Sequence, residues 1–493
     1  MLDFEKLNAY KENNRLEAKK ATGGLPISIW ETYSAFANTN GGIILLGVDE
    51  LSDKSLNIIG LENPEKLVTD FWNTVNNTQK VSVNFINDNH LQIVEANGKK
   101  IIVIEIPRAE RVLRPIYLDN NYNNVYRRNN DGDYRCSAVV SKAMFRDAAP
   151  ETQDTVVLEG FTANAFNTDT IRSYKNNFEN KHRGHVWENI SNDEFLLKIG
   201  ALALGADNKI HPTAAGLLMF GNEYDIVREF PQYFLDYQEH FDASIRWTNR
   251  FVSSSGEWSG NIFDFFYKAY NAIIQNPNIK RPFVIAGDGI SRNDDTDIHE
   301  AIREALANCL IHADYYGNGG VVIKNSFEKI ELANPGALRV SLDYALAGGY
   351  SSPRNGTLIK MFSFLEIGER AGSGIPKIYF AWKNNGLASP VLKEDLILDR
   401  TVLTLSIASS DKSKDSDISS DKGSDKSKSS DISSDKKRYI IKLVEKKGSI
   451  KTSDLVDGLG ISARRINTIL NELIKEGVLI AEGKNKGRIY RLP

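Results

Sequence analysis

Glu12 and Glu17, five residues apart, are followed by Lys19 and then, after a helical stretch and the turn Asn40-Gly41-Gly42, by Asp49. On a strand, alternation points Glu17 and Lys19 to one face. Asp49 stands near the end of a second apolar run, IILLGVDE, that can lie alongside. Acids and an ammonium so grouped suit a divalent metal and a phosphate. Mg²⁺ or Mn²⁺ takes oxygen ligands and keeps several waters, so Glu12, Glu17 and Asp49 suffice once a substrate phosphate joins them. The metal would activate a bound water and polarise the phosphoryl group, with Lys19 offsetting the developing charge. The same Glu-x-Lys spacing also describes a solvated ion pair with no chemical role.

The elements that must position these groups are legible. Residues 27–39 carry Ile, Trp, Tyr, Ala and Phe at helical spacing and stop at the glycine pair, which predicts a helix feeding a turn. IILLGV predicts a buried strand, and KKIIVIEIPRAE predicts another that ends near Pro107. Beyond it, Arg111, Arg114, Arg127 and Arg128 are interleaved with Tyr117, Tyr122, Tyr126 and Tyr134. Arginine with tyrosine suits phosphates and stacked single-stranded bases, which makes Arg127 and Arg128 candidate nucleic-acid contacts. An ordinary β-hairpin surface has the same composition.

At 493 residues the chain has room for about three domains, each able to bury a core. Its 41% hydrophobic and 25% charged content predicts that most of it is globular. Cys136 and Cys309 lack ligand spacing, which excludes a disulfide framework or zinc ribbon and predicts a reducing compartment. MLDFEKLNAY has early charges and no apolar core, and no run reaches the roughly 18 apolar residues of a membrane span, so a cytoplasmic protein with no membrane partner is expected. No G-x4-G-K-[ST] occurs, which excludes a P-loop helicase.

The E-x4-E pair, the SAFANTNGG turn and the strand ending in GVDE resemble the Schlafen AlbA-type domain. In eukaryotic Schlafens these acids form a metal-dependent RNA-cleaving site, and the resemblance carries that role to Glu12, Glu17 and Asp49. Bacterial relatives are described as nucleic-acid-binding or regulatory domains. Ala18 departs from the aromatic common at that position.

Further on, ISNDEFLLKIGAL, HPTAAGLLMFGNE and FPQYFLDY resemble the middle of a bacterial family with a Schlafen-type N-terminus. Its next portion is similar to GHKL ATPases and carries a RecG-helicase-like label. In IHEAIREALANCLIHADY, Glu304 and Asn308 share a helical face. The resemblance implies that this glutamate activates water and this asparagine holds Mg²⁺ against the phosphates of ATP. Gly372 and Gly374 in GERAGSGIPKI could form a turn whose N–H groups approach phosphate. The GHKL Asp-x-Gly that reads adenine is here Asn334-Pro335-Gly336, an amide without the charge-assisted bond. His312 reads as a core imidazole, and Arg354, in SPRN, as a phosphate or subunit contact.

Residues 408–435 repeat SDISSDK with almost no apolar side chains, which predicts a flexible tether. After it come three amphipathic stretches and a closing strand in helix-turn-helix order, similar to a winged helix. Residues 436–493 hold fourteen Lys or Arg and six Asp or Glu, so 14 − 6 = +8, which favours a polyanion. The resemblance places Ser462, Arg464, Arg465 and Asn467 near bases or phosphates, and Lys484, Lys486 and Arg488 on the wing.

The expected architecture is α+β and multidomain. It comprises a Schlafen-like α/β domain over 1–150, a helical connecting region over 151–290 and a GHKL-like α/β sandwich over 291–407. The tether and a winged helix-turn-helix over 436–493 complete it. The expected function is a DNA-binding transcriptional regulator with nucleotide dependence, with RNA and self-association also compatible. A metal-dependent nuclease and an ATP-controlled protein-interaction switch are the alternatives.

Overall fold

The computed structural model describes residues 7, 10–279, 296–368, 372–395 and 398–407, residues 444, 449, 470, 473–474, 479–481 and 490–491, and the backbone of 284–285, 292–293, 482 and 489. The chain divides into two compact units, 1–412 and 413–493.

The N-terminal sheet has the order Leu16–Lys19, Gly42–Leu46, Lys99–Ile106, Leu91–Ala96, with the first pair parallel and the others antiparallel. The run IILL is continuous because both faces of its strand are covered. Ile44 and Leu46 join one core with Phe36 and Phe71, while Leu45 joins another with Leu16 and Leu56. The helix Ile29–Asn38 buries Ile29, Tyr33, Phe36 and Ala37, residues at helical spacing. It ends where the spacing predicted. At Gly41, φ is +69° and an added Cβ would stand 2.8 Å from Ile106 O, so only glycine fits the turn.

The central sheet has six strands in the order Asn249–Val252, Leu235–His240, Val321–Ser326, Lys329–Pro335, Arg400–Ser406, Val391–Asp395. Two of them come from the stretch 151–290, which was expected to be helical and connecting. They belong to the sheet because Tyr237 lies in register with Ile323, and Ile323 with Leu332. These side chains share one core with Phe265, Leu306 and Trp382 of the helices Ile262–Ile273, Asp297–Ile311 and Gly374–Asn384.

In the second unit the strands Ile480–Glu482 and Ile489–Arg491 pair antiparallel, and Val444, Leu470, Leu473, Leu479 and Tyr490 are buried. Ser462, Arg464, Arg465, Asn467, Lys484, Lys486 and Arg488 lie outside the described residues.

Candidate functional site

Glu17 and Lys19 do share a strand face, and Lys19 Nζ donates to Glu17 Oε1 at 2.9 Å. The other carboxylate oxygen accepts from Arg128 at 2.7 Å. Arg128, 1% exposed, also donates to Asp133 at 2.9 Å and to Asn13 O at 3.0 Å, and it lies over the Phe36 ring. Glu12 accepts from Ala18 N at 2.9 Å, and its carboxyl is pushed up chiefly by burial, with Glu17 and Glu50 adding to the rise. Asp49, whose side chain alternates to the other side, pairs with Lys20 at 2.9 Å. Among the described residues, no group of three or more His, Cys, Asp or Glu side chains is disposed to hold a metal ion. The expected metal set of Glu12, Glu17 and Asp49 does not fit this arrangement, because a guanidinium and an ammonium occupy the oxygens of Glu17.

The hairpin arginines also have other work than nucleic acid. Arg128 is buried in the network just described, and Arg127 pairs with Asp399 at 2.9 Å. Arg108 forms a fork on Glu394 at 3.1 and 3.2 Å and donates to Leu338 O at 2.8 Å. Arg114 donates to Arg339 O at 3.4 Å. Arg108, Arg114 and Arg127 each join the N-terminal part to the central part of the same unit. Arg354, expected to meet phosphate or another subunit, is buried and grips Asp147 at 2.9 and 2.8 Å.

Glu304, Asn308, Asn334, Gly372 and Gly374, distant in sequence, line one pocket between the helix Asp297–Ile311 and the sheet. Asn308 Nδ2 donates to Glu304 Oε1 at 3.1 Å, which orients the acid. Gly374 begins the next helix directly against both, and an added Cβ would collide with Glu304 Oε1. Gly372 has φ +67°, and the Tyr350 backbone lies 2.7 Å from where a Cβ would stand. Gly336 does not line the pocket but shapes its rim, donating to Asp399 O at 2.7 Å and accepting from Thr401 Oγ1 at 2.8 Å. Asn334 is buried, with Nδ2 held by Pro335 O at 3.2 Å. Sequence inspection missed Thr401, which lies directly across the ladder from Asn334, and Arg339 and Tyr350. Only strand register could have revealed Thr401. His312 also faces the pocket, and burial beside Arg354 and Arg339 pushes its pKa down to about 4, so it is neutral near pH 7.

Residues 10–137 match the family model Schlafen, AlbA_2. The chain carries a Schlafen AlbA_2-type domain over these residues. Residues 319–405 match the model described as putative ATP-dependent DNA helicase recG C-terminal, and 434–480 match winged helix-turn-helix DNA-binding. Residues 142–236 match a domain of unknown function, DUF8451. None of the curated proteins matches. Among solved structures, the DIP2311 protein from Corynebacterium diphtheriae aligns over 97% of this chain and 95% of its own at 15% identity, with TM-score 0.39. The N-terminal domain of a RecG-related protein from Nitrosomonas europaea aligns over 27% of this chain and 90% of its own at 30% identity, with TM-score 0.22. Among the described residues, no helix is long and apolar enough to cross a membrane.

Proposed function

We propose that this protein is a DNA-binding regulator whose central pocket takes an adenine nucleotide as a controlling ligand. Nucleic-acid binding follows from its AlbA_2 and winged-helix domains and from the +8 charge of 436–493. The observation that carries the nucleotide is the convergence of Glu304, Asn308, Asn334 and the glycine turn on one cavity. Asn334 and Thr401 would hold the base, while Glu304, Asn308 and the backbone at 372–374 would hold the phosphate end. Bound nucleotide supplies the phosphoanhydride and its metal. The protein's own part is orientation, because Asn308 aims Glu304 and Gly374 lets a helix N-terminus approach both. A neutral Asn334 recognises the base without a charge-assisted bond, which suits a sensing site better than rapid turnover.

The wall of this pocket is tied to the N-terminal part. Leu338 N donates to Glu394 at 2.7 Å, and Arg108 bridges Glu394 and Leu338 O. A ligand that shifts the wall therefore shifts arginines of the AlbA_2 domain, a differential contact of the kind that linkage requires.

The test is thermal unfolding of the full chain with millimolar ATP or ADP and Mg²⁺, beside duplex-DNA titration in the same buffers. Nucleotide should raise the melting temperature by mass action and change DNA affinity, and Glu304→Ala should remove both effects. A melting temperature indifferent to nucleotide would end the proposal.

A further inference from the structure

We propose that a second groove, separate from the nucleotide pocket, is an anion site for a phosphorylated small molecule. The groove holds about 780 Å³ and is lined by Arg111, Arg339 and Lys360, by hydroxyls such as those of Thr155 and Ser352, and, among the described residues, by no aspartate or glutamate. That volume lies within the roughly 300–1,000 Å³ of sites for small ligands.

The arginines on this groove donate to neutral carbonyl oxygens. Arg339, 8% exposed, donates to Asp147 O at 3.1 Å and to Pro353 O, and its Nε has no hydrogen-bond partner. The carboxylate of Asp147 is 3.8 Å from that Nε and is already forked by Arg354. Arg111 donates to the carbonyls of Asp147 and Ala149, and Lys360 to Lys198 O at 3.0 Å. Behind the groove, Arg114 is 9% exposed, meets only Arg339 O, and leaves its own Nε without a partner. Glu394 and Asp147 are forked by Arg108 and Arg354, which leaves Arg111, Arg114 and Arg339 bonded to carbonyl oxygens.

Carbonyl oxygens satisfy N–H groups but do not cancel charge, and excess charge out of water is costly. Burial pushes Arg339 down to about 10 and Arg114 to about 9, with repulsion from neighbouring arginines adding to both. A phosphate in the groove supplies the missing negative charge, and a guanidinium binds it through charge-assisted bonds. Tyr350, Ser351, Ser352 and Arg339 line both this groove and the nucleotide pocket, so the two sites share a wall.

The test titrates inorganic pyrophosphate into the full chain by calorimetry, with and without saturating ATP and Mg²⁺. The arm without nucleotide stands whether or not the central pocket binds ATP. Pyrophosphate should bind in both arms, and Arg111→Gln with Lys360→Gln should weaken it about tenfold with melting temperature held. Arg339→Lys, which keeps the charge and loses the fork, should weaken it as well. Competition by a 5′-phosphorylated dinucleotide would trace the phosphate to nucleic-acid ends, and its failure would trace it to free phosphates. Absence of binding heat, equal affinity in the double variant, or stoichiometric displacement by ATP would overturn the second site.

Discussion

Glu17 and Glu304 are both acids on regular elements with a polar partner on the same face, and their surroundings differ in one respect. Glu17 meets a cation at each oxygen, Arg128 at 2.7 Å and Lys19 at 2.9 Å. Glu304 meets the neutral amide of Asn308 and faces a cavity. An acid whose two oxygens are held by cations is part of the framework, whereas one that lines a cavity is placed where a ligand can meet it. The arginines divide in the same way. Arg127 and Arg128 are consumed by acids of their own unit, while the +8 balance of 436–493 leaves cations in excess.

The sharpest way to break this comparison is Arg128→Ala. It leaves Glu17 and Asp133 without their buried counterion, and a stability loss of about 3–5 kcal/mol is expected from urea unfolding. A loss under about 1 kcal/mol would mark the network as a surface pair and reopen the metal reading of Glu17.

A pH series separates the framework from the pocket by another route. The folded-state pKa of His312 lies below the ordinary imidazole value, at about 4, so folding favours the neutral ring. Stability from this group is complete above about pH 6.5 and is lost as pH falls toward 4, by roughly 2–3 kcal/mol. His312→Gln should flatten that part of the curve. An unchanged acid limb would show that His312 is not the group responsible.

For the arginines, Arg464→Ala with Arg465→Ala should cost roughly 1–3 kcal/mol of duplex-DNA binding if either reads a base. Arg127→Ala should leave duplex affinity unchanged and cost about 1 kcal/mol of stability through Asp399. Gel-shift titrations at two salt concentrations compare them, and a larger DNA effect from Arg127 would reverse their assignment.

The smallest expected effect is at Glu12. Its raised carboxyl pKa means the folded state binds the proton more tightly, so ionisation costs stability as pH rises through the carboxylate range. Glu12→Gln keeps an acceptor for Ala18 N and should be neutral or stabilising by under about 1 kcal/mol at pH 7. Clear destabilisation with loss of Mn²⁺ binding would instead return Glu12 to a metal site.

Much of this fold was legible in the residues. The helix Ile29–Asn38, its stop at the glycine turn and the buried strand behind it follow from periodicity and from the one residue that fits φ +69°. The pairing of Glu17 with Lys19 followed from strand alternation. The partner of Asp49 did not, because the ion pair with Lys20 depends on how the strand Val48–Glu50 is set against its neighbours.

The sequence by itself determined elements such as the helix Ile29–Asn38 and the strand Gly42–Leu46, and which side chains share a face of one element, because these depend on neighbours a few residues away. Only the tertiary structure decided what each face meets. The contact of Arg128 with Glu17 spans 111 residues, and that of Arg354 with Asp147 spans 207. Asn334 meets Thr401 through a ladder closed between distant strands. No local spacing encodes such encounters, since they arise from sheet order and from the burial that turns arginines inward. Whether an acid is a ligand-facing group or half of an ion pair is settled there.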